Sequence, residues 1–354
     1  MAVTPGFKNT LPWDCDHTLP LNAVVDVSQP ERQYDETDEK QKGQTSGKAL
    51  EKEQYTKTQS SSDRTQYRHD GGRRYHTFEE NQYYLPNDQI EAGRLDLQHY
   101  QWKLTFNGFS GRVPITPEMK NVLDLGTGTG VWAIEVAQAF PHLQVLGVDL
   151  SAIQPDSKPS NCRFTTANVE HDWNFETRFD YIHARVLTMG IHDWTRFFKQ
   201  SWDFLEPGGW LEVNETRFPQ FRAEEDNEDG PAEGPFMRWS RLCYEAALKA
   251  GIDAQASEGL ASLLEKQGFS NVERVDIKWP IGSWAVGRTE KKIGEACFEN
   301  MVNAIPGIGS LVLQKQLGMS KGEVDQLCEE AIKDCSEHRF YVKMVLTKAQ
   351  KPSV

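Results

Sequence analysis

The sequence lacks any uninterrupted apolar segment long enough to cross a bilayer, and it does not begin with basic residues followed by an apolar run. Its six cysteines are scattered, and no two of them have Cys-x-x-Cys spacing. From these absences we expect a reduced, soluble protein that makes no membrane contact. We also expect it to reside inside the cell, in the cytoplasm or the nucleus.

Ligand sets for metal ions are also missing. The chain contains no His-Glu-x-x-His sequence, no other closely spaced histidine pair and no cluster of cysteines. Zinc and related catalytic ions are held by such groups. We therefore expect no metal site.

Positive charge is scarce relative to negative charge. The 354 residues include 39 Lys and Arg against 52 Asp and Glu, which gives a formal net charge of −13. Nucleic-acid binding draws much of its affinity from Lys and Arg contacts to phosphates. A DNA or RNA partner is therefore not expected.

Residues 1–72 contain few side chains that could form a core, and from Ser28 onward the run is almost wholly polar. Such a segment cannot bury enough apolar surface to offset the entropy lost on ordering. We predict that 1–72 is a disordered tail, with a docking or regulatory role left open, and that 73–350 form one folded domain.

The most informative segment is Val-Leu-Asp-Leu-Gly-Thr-Gly-Thr-Gly at residues 122–130. It predicts a buried strand, a tight glycine turn and then a helix at 131–139. Glycines at alternate positions let the chain turn sharply and let a ligand approach the bare backbone. The pattern therefore indicates a small-molecule site built on main-chain atoms.

The details of this turn separate two cofactor classes. The dinucleotide fingerprint G-x-G-x-x-G would require a third glycine where this chain has Val131. Asp124, at the end of the strand, would also repel a pyrophosphate, which favours amide donors at a helix N-terminus. A ligand that carries an ammonium and a sulfonium tolerates this carboxylate, so we expect S-adenosyl-L-methionine (SAM).

Two further predicted strands add polar groups at the same edge. A strand at 143–149 ends in Asp149, about 20 residues beyond the glycines, where such folds place a carboxylate on ribose hydroxyls. A strand beginning near residue 161 is followed by a polar and an apolar residue, where an adenine ring would lie. The predicted cofactor contacts are Asp124, Gly126, Thr127, Gly128, Gly130, Asp149, Leu150, Asn168 and Val169.

The remaining pattern predicts an α/β fold with additions. Strands are expected at 179–185, 205–215, 272–279 and 340–347, and a helix is expected from about 88 to 106. Residues 73–118 would form an N-terminal helical cap carrying three possible contacts to the cofactor or acceptor. Two insertions, 218–255 and 288–336, would form a helical lid, the second interrupted at Ile-Pro-Gly-Ile-Gly. The aromatic residues assigned to the lid would suit an apolar small molecule. The possible cap contacts are Tyr84, Arg94 and His99, and the lid aromatics are Phe236, Trp239, Tyr244, Trp279 and Trp284.

With these pieces in order, residues 73–350 resemble class I SAM-dependent methyltransferases, and more narrowly the fungal LaeA-like group associated with secondary metabolism. Three segments carry the resemblance, namely Arg-Tyr-His at 74–76 with Tyr-Leu-Pro-Asn-Asp-Gln-Ile-Glu at 84–91, the glycine segment, and Asp-Leu-Ser-Ala-Ile-Gln-Pro at 149–155 with the later Pro-Gly-Gly-Trp-Leu-Glu. The resemblance implies a Rossmann-like, seven-stranded sheet with an antiparallel last strand. It also implies SAM bound at the carboxyl ends of the first two strands.

The expected reaction is methyl transfer to a small, fairly apolar metabolite, at oxygen. Enzymes that methylate amides or exocyclic amines carry an Asn- or Asp-Pro-Pro-aromatic tetrad after the fourth strand, whereas this chain has Ala-Arg-Val-Leu at 184–187. The candidate general bases are His192, His183 and Glu215, which follow or end predicted strands. The alternative is a methyltransferase-fold regulator that acts through protein partners.

Overall fold

The computed structural model describes residues 67–77, 83–109, 111–222 and 234–353. All of them lie in one compact unit, Lys57–Val354. The predicted tail therefore lies outside the described residues up to residue 66. Its last part was wrongly assigned, because β1 (Tyr67–Asp70) and β2 (Arg73–His76) form an antiparallel hairpin across the expected boundary at residue 73.

The rest of the described chain alternates between strands and helices, as the hydrophobic pattern predicted. Most predicted elements appear within a few residues of their expected bounds. In chain order they are α1 (Gln89–Thr105), β3 (Asn121–Leu125), α2 (Val131–Ala139), β4 (Gln144–Asp149), β5 (Cys162–Thr166), β6 (Phe179–Arg185), α3 (Trp194–Phe204), β7 (Leu205–Thr216), β8 (Phe221–Arg222), α4 (Pro235–Lys249), α5 (Leu260–Gln267), β9 (Ser270–Ile281), α6 (Arg288–Leu317), α7 (Lys321–Glu337) and β10 (Phe340–Gln350).

A single twisted sheet organises these elements, with strand order β5-β4-β3-β6-β7-β10-β9. The first five of these strands are mutually parallel, and β10 is antiparallel to both of its neighbours. The two-residue β8 pairs with the start of β10 as an eighth strand. The predicted seven-stranded α/β sheet with an antiparallel last strand is confirmed, since β8 only extends it.

Both faces of the parallel strands are covered, which explains their almost continuous apolar sequences. On one face Val122 packs with Trp132 of α2, and on the other Leu123 packs with Phe197 of α3. All of these side chains are buried. The strands are therefore fixed rigidly, and their carboxyl ends provide a stable edge on which a site can be built.

Helices α1, α4, α6 and α7 enclose a second core beside the sheet. The predicted interruption in α6 at 305–309 was wrong, because α6 is continuous with Pro306 inside it. A proline inside a helix costs about 3 kcal/mol, since a hydrogen bond is lost and the preceding turn is crowded. Burial offsets this cost: Ile305 is fully buried, and Gly309 lies so close to Trp239 that a Cβ would be 2.7 Å from its Nε1.

Helix α6 is, within the described ranges, the one helix whose length and composition would suffice to cross a bilayer. The apolar part of this helix is 61% buried inside the protein, where it packs against α1, α4 and α7. Its composition is thus accounted for by the second core.

Gly294, in the second turn of α6, allows this helix to dock on the end of β9. The Gly294 oxygen accepts a hydrogen bond from Gly282 N at 2.9 Å, and a Cβ on Gly294 would collide with the Gly282 carbonyl oxygen. We predict that Gly294→Ala destabilises the protein by about 1–3 kcal/mol, as overpacking against backbone does. Thermal unfolding of the purified variant measures this.

The matched control is Gly322→Ala on α7. Gly322 is exposed, and a Cβ there meets no atom within 4 Å. The substitution is expected to leave the unfolding free energy unchanged or to raise it by up to about 1 kcal/mol, because alanine favours the helix. Equal melting temperatures for the two variants would contradict the close docking of α6.

Candidate active site

A large cavity lies at the carboxyl ends of β3, β4, β5 and β6. A segment at 83–88, here called the strap, covers one end of the cavity, and α1 and α6 form further walls. The cavity has a half that faces the glycine turn and β4, and another half that faces β7, β9 and β10. We call these the turn half and the apolar half.

The glycine turn needs glycine for two reasons. Gly126, Gly128 and Gly130 have φ values of 64°, 56° and 78°, in the left-handed region that L side chains rarely adopt. A Cβ on Gly126 would also collide with Leu187, and one on Gly130 would collide with Phe164. The bare backbone of Gly126 and Gly128 therefore lines the cavity at the start of α2.

Asp149 joins β4 to this turn. Its Oδ2 accepts a hydrogen bond from Gly128 N at 2.8 Å, and its Oδ1 accepts one from Ser151 N at 2.9 Å. Burial raises the pKa of Asp149 to about 6 in spite of these two hydrogen bonds. Because each carboxylate oxygen has a second lone pair and Asp149 lines the cavity, it can accept two hydroxyl donors from a ligand.

Asp124, a predicted cofactor contact, lines a cavity smaller than the one that Asp149 lines. Its two oxygens accept from Thr127 Oγ1 at 2.5 Å and pair with His183 Nδ1 at 2.7 Å. The His183 ring stacks on Trp132 with ring centroids 3.8 Å apart. Asp124, Thr127 and His183 line this smaller cavity, which shares Gly126, Gly128 and Arg185 with the large one. The contacts of Asp124 therefore link the glycine turn to β6.

The three candidate bases are all engaged outside the large cavity. His183 is buried beside Asp124, as described above. His192 Nδ1 lies 2.7 Å from Glu170 Oε2, and the His192 backbone N donates to the same carboxylate. Glu215 accepts from Leu187 N at 2.9 Å and from both the backbone N and Oγ1 of Thr188. Because none of the three lines the large cavity, this geometry gives none of them direct access to an acceptor there.

Glu215 instead fixes the loop that follows β6. This loop begins with Val186, a β-branched residue at a φ of 55°, which is a strained conformation. Complete burial raises the pKa of Glu215 to about 7, although its hydrogen bonds to Thr188 and Leu187 act in the opposite direction. Val186, Leu187 and Thr188 all line the large cavity, so Glu215 shapes its wall indirectly.

The strap is held by the hairpin that precedes it. Arg73 forms two hydrogen bonds to the Asp88 carboxylate, at 2.7 and 3.0 Å, and Asp88 also caps α1 by accepting from Glu91 N. The Arg73 guanidinium contributes to lowering the pKa of Asp88 to about 2. Asn87 Nδ2 donates to Ser151 Oγ at 3.0 Å, next to Asp149. The hairpin thus ties the strap across the turn half.

The structure brings most of the predicted cofactor residues together. Of the predicted contacts, Asp124 and Thr127 line only the smaller cavity, and Gly130 lines neither cavity. Of the possible cap contacts, Arg94 lines the large cavity and is paired with Glu91 at 2.7 Å, whereas Tyr84 and His99 lie outside its lining. Those that line the large cavity are Gly126, Gly128, Asp149, Leu150, Asn168 and Val169.

The apolar half differs sharply in character from the turn half. Trp279 is the one predicted lid aromatic that reaches it, while Phe236 and Trp239 are buried in the second core. The other apolar lining residues were not predicted, because α6 and the start of β10 carry no motif that marks them. The apolar lining includes Met189, Phe218, Trp279, Met301, Ala304, Ile308, Val342 and Met344.

The residues present fit SAM. Asp149 offers acceptors for two ribose hydroxyls, Leu150 and Val169 offer apolar contacts beside Asn168, and the glycine backbone permits close approach. The apolar half adjoins this arrangement, so an acceptor would meet the cofactor inside one cavity. Fold and site together define a class I methyltransferase.

Comparison with known proteins agrees. Residues 97–274 match the family model described as a methyltransferase domain. The chain is 33% identical over 304 residues to methyltransferase pytC of Aspergillus terreus, an alignment that covers 84% of this chain and 91% of that protein. The chain therefore belongs to the SAM-dependent methyltransferase family, and S-adenosyl-L-methionine is its cofactor.

The resemblance to the fungal LaeA-like group is also confirmed. The chain is 31% identical over 237 residues to protein-methionine methyltransferase laeA of Emericella nidulans, which covers 66% of this chain and 62% of that protein. Among solved structures, it is similar to phosphoethanolamine N-methyltransferase 2 of Haemonchus contortus, at 17% identity and a TM-score of 0.43 over 82% of this chain and 72% of that one.

The Asp149 geometry predicts a large effect on cofactor affinity. Asp149→Asn removes the charge that would strengthen ribose hydrogen bonds, so we expect the Kd for SAM to rise about tenfold to a hundredfold. Asp180→Asn is the matched control, because Asp180 also accepts two backbone N–H bonds, from Lys120 and Asn121, at the opposite end of β3. Calorimetric titration should show unchanged affinity in the control; equal losses would refute the ribose role.

The raised pKa of Asp149 also predicts a pH dependence. Below about pH 6 its carboxyl is protonated in the free protein, so SAM binding must expel a proton. Affinity should therefore fall about tenfold per pH unit below that value and level off above it. In Asp149→Asn, the affinity for SAM should no longer change with pH in this range. A wild-type affinity that stays constant from pH 7 to about pH 5 would contradict the assignment.

Proposed function

We propose that this protein transfers a methyl group from SAM to an oxygen of a small, fairly apolar metabolite in a fungal secondary-metabolite pathway. The observation that carries the proposal is the apolar half of the cavity. It adjoins the proposed SAM site, and its walls are α6, the end of β9 and the start of β10. Concave, mostly apolar sites with few polar groups are typical of small-molecule binding.

The cofactor residues have proposed roles within this reaction. Asp149 binds the ribose hydroxyls, Asn168 contacts the adenine edge, and Leu150 and Val169 pack on the ring faces. The turn at Gly126 accommodates the methionine portion. Asp124 acts one layer below, through Thr127 and His183, and keeps the turn in its left-handed conformation.

Positioning is the main contribution that these residues make. SAM supplies a methyl group on a positively charged sulfur, which needs an aligned nucleophile and little else. Holding the acceptor in line can contribute about 7–11 kcal/mol. The loop fixed by Glu215, the strap and α6 provide rigid walls for this alignment.

The choice of oxygen rests on the end of β6. Amide and exocyclic amine acceptors are served by a Pro-Pro-aromatic segment there, and this chain has Ala-Arg-Val-Leu at 184–187 instead. The relative pytC is a fungal methyltransferase that aligns over nearly its whole length. An intracellular location, in the cytoplasm or the nucleus, stays part of this proposal.

A second candidate is a methyltransferase-fold regulator that acts through protein partners. It is favoured by the similarity to laeA of Emericella nidulans, whose name describes methionine methylation in protein, and to the secondary metabolism regulator laeA of Aspergillus flavus at 32% identity. The two candidates differ in what the apolar half of the cavity must admit.

Filling the apolar half tests the proposal. Ala304 is buried on the cavity side of α6, so Ala304→Phe should occupy the acceptor space. We expect the turnover of small hydroxylated metabolites, measured by methyl transfer from labelled SAM, to fall by about two decades or more, because the acceptor can no longer be aligned with the methyl group. The Kd for SAM should stay within about threefold.

Val302→Phe is the control, since Val302 lies on the same helix and is 37% exposed. It should behave like the wild type in both assays. If labelled methyl groups from the wild type enter only proteins in a fungal extract and no small molecule, the regulator becomes the better account. If Ala304→Phe leaves small-molecule turnover intact, the acceptor lies elsewhere.

A further inference from the structure

A buried polar atom without a hydrogen-bond partner calls for an explanation, and one explanation is that it binds a ligand. In the part of the chain that the structure describes, three such atoms belong to residues that line the large cavity. They are Arg185 Nη1 at the end of β6, Gln101 Nε2 on α1 and Gln220 Oε1 after β7. Arg185 is the charged member of this group and therefore the most costly to leave unpaired.

Arg185 has contacts but no ion pair among the described residues. Its Nη2 lies 3.3 Å from His99 Nδ1, and its guanidinium carbon lies 5.7 Å from the centre of the Trp102 ring. Burial, and to a smaller extent the Arg185 charge, lower the pKa of His99, while Glu135, 3.0 Å from His99 Nε2, opposes this shift. Neither contact compensates the positive charge of Arg185.

The carboxylates in its neighbourhood are committed elsewhere. Asp124 holds Thr127 and His183. Glu135 pairs with Lys103 at 2.8 Å. Neither acid forms an ion pair with Arg185, although Glu135 also contacts His99 Nε2 at 3.0 Å and so reaches Arg185 through that ring. A third acid, Glu212, accepts from Tyr181 Oη at 2.9 Å and from the backbone N–H groups of Arg112 and Val113.

Arg185 stays charged in spite of this environment. Burial lowers its pKa to about 10, and the acids around it oppose part of that shift. At neutral pH the guanidinium is still a cation. The cavity therefore presents a positive charge that has no direct ion pair among the described residues, and Arg185 Nη1 has no hydrogen-bond partner there.

The sheet places this charge at the junction of the two halves. Ala184 is paired with Leu125, so Arg185 lies level with Gly126 of the glycine turn. Strand β6 stands between β3, which carries the turn, and β7, which begins the apolar side. Arg185 lines the large cavity and also the smaller one, and it shares both with Gly126 and Gly128.

We infer that Arg185 is the anion-binding residue of the acceptor site, and that the acceptor is a small acid whose hydroxyl oxygen is bound and methylated as its anion. Enols, phenols and carboxylic acids belong to this class. The inference rests on the proposed function and narrows its substrate. Gln101 and Gln220 supply one donor and one acceptor for further polar groups of the same molecule.

Electrostatics favours an anionic acceptor here. A neutral acceptor would lie between two cations, the sulfonium and the guanidinium. An oxyanion compensates both, because an Arg–oxyanion hydrogen bond is short and strong. This also explains how the site can work although His183, His192 and Glu215 have no access to the cavity.

Methyl transfer to such an anion needs no base from the protein. On binding beside Arg185, the acceptor hydroxyl loses its proton to water. Its oxygen then forms a bond to the methyl carbon while the carbon–sulfur bond breaks and its electron pair goes to sulfur. The products are a neutral methyl ether or ester and S-adenosylhomocysteine, neither of which needs the guanidinium, so product release is favoured.

A coloured acid tests this inference directly. In 4-nitrophenol only the phenolate absorbs strongly in visible light, and nitrobenzene is the matched probe without a hydroxyl. Both are titrated into protein saturated with S-adenosylhomocysteine, at about one pH unit below the solution pKa of the phenol. We expect the phenolate band to grow with added wild-type protein and the phenol to bind at least about tenfold more tightly than nitrobenzene.

Three variants accompany the wild type. Arg185→Met should abolish both the band and the preference, while Arg185→Lys, which keeps the charge, should retain part of each. Arg163→Met is the control, because Arg163 is exposed on the edge strand β5, and it should match the wild type. The affinity for S-adenosylhomocysteine reports whether each variant is folded, and the wild-type spectrum remains decisive if Arg185→Met does not fold.

Contrary outcomes are distinguishable. Equal binding of the two probes would overturn the inference and leave the small-molecule proposal standing. Binding of neither probe would count against both. A band that persists in Arg185→Met, together with a loss of affinity for SAM, would overturn the inference by placing Arg185 on the carboxylate of the cofactor.

Discussion

Buried carboxylates that accept backbone N–H groups are the constraint on which this site depends. Asp149 holds Gly128 and Ser151, and Glu215 holds Leu187 and Thr188. Each acid stands at the end of a parallel strand and fixes the loop beside it. Charge-assisted bonds of this kind are strong enough to hold left-handed glycines and the strained Val186 in place. The cavity walls are therefore set before any ligand arrives.

The same arrangement explains why the site is divided into two halves. Strands β3, β4 and β5 contribute polar ends and a glycine turn, whereas the end of β9 and the start of β10 contribute Trp279, Val342 and Met344. Strand β6 lies between them and carries Arg185 at its last position. Helix α6 covers the apolar half at the cost of a proline inside the helix, which burial offsets. The structure thus joins a polar half and an apolar half within one cavity.

Much of this was predictable from the sequence, for physical reasons. The apolar strand, the glycines and Asp149 are local signals, and strand alternation fixes the fold class. The roles of the histidines were not predictable, because they depend on partners far away in sequence, such as Glu170 for His192 and Asp124 for His183. Arg185 was missed because its significance lies in lacking a partner ion, which only a three-dimensional arrangement reveals. The continuity of α6 was missed because tertiary packing overrides the local effect of Pro306.

The central claim is that one cavity holds SAM at the turn half and directs its methyl group toward Arg185 and the apolar half. A crystal structure of the protein with S-adenosylhomocysteine bound tests it most directly. The account predicts ribose hydroxyls on Asp149, the adenine beside Asn168 and Val169, and the sulfur facing the apolar half. A sulfur atom directed away from that half, or a nucleoside bound elsewhere, would contradict it.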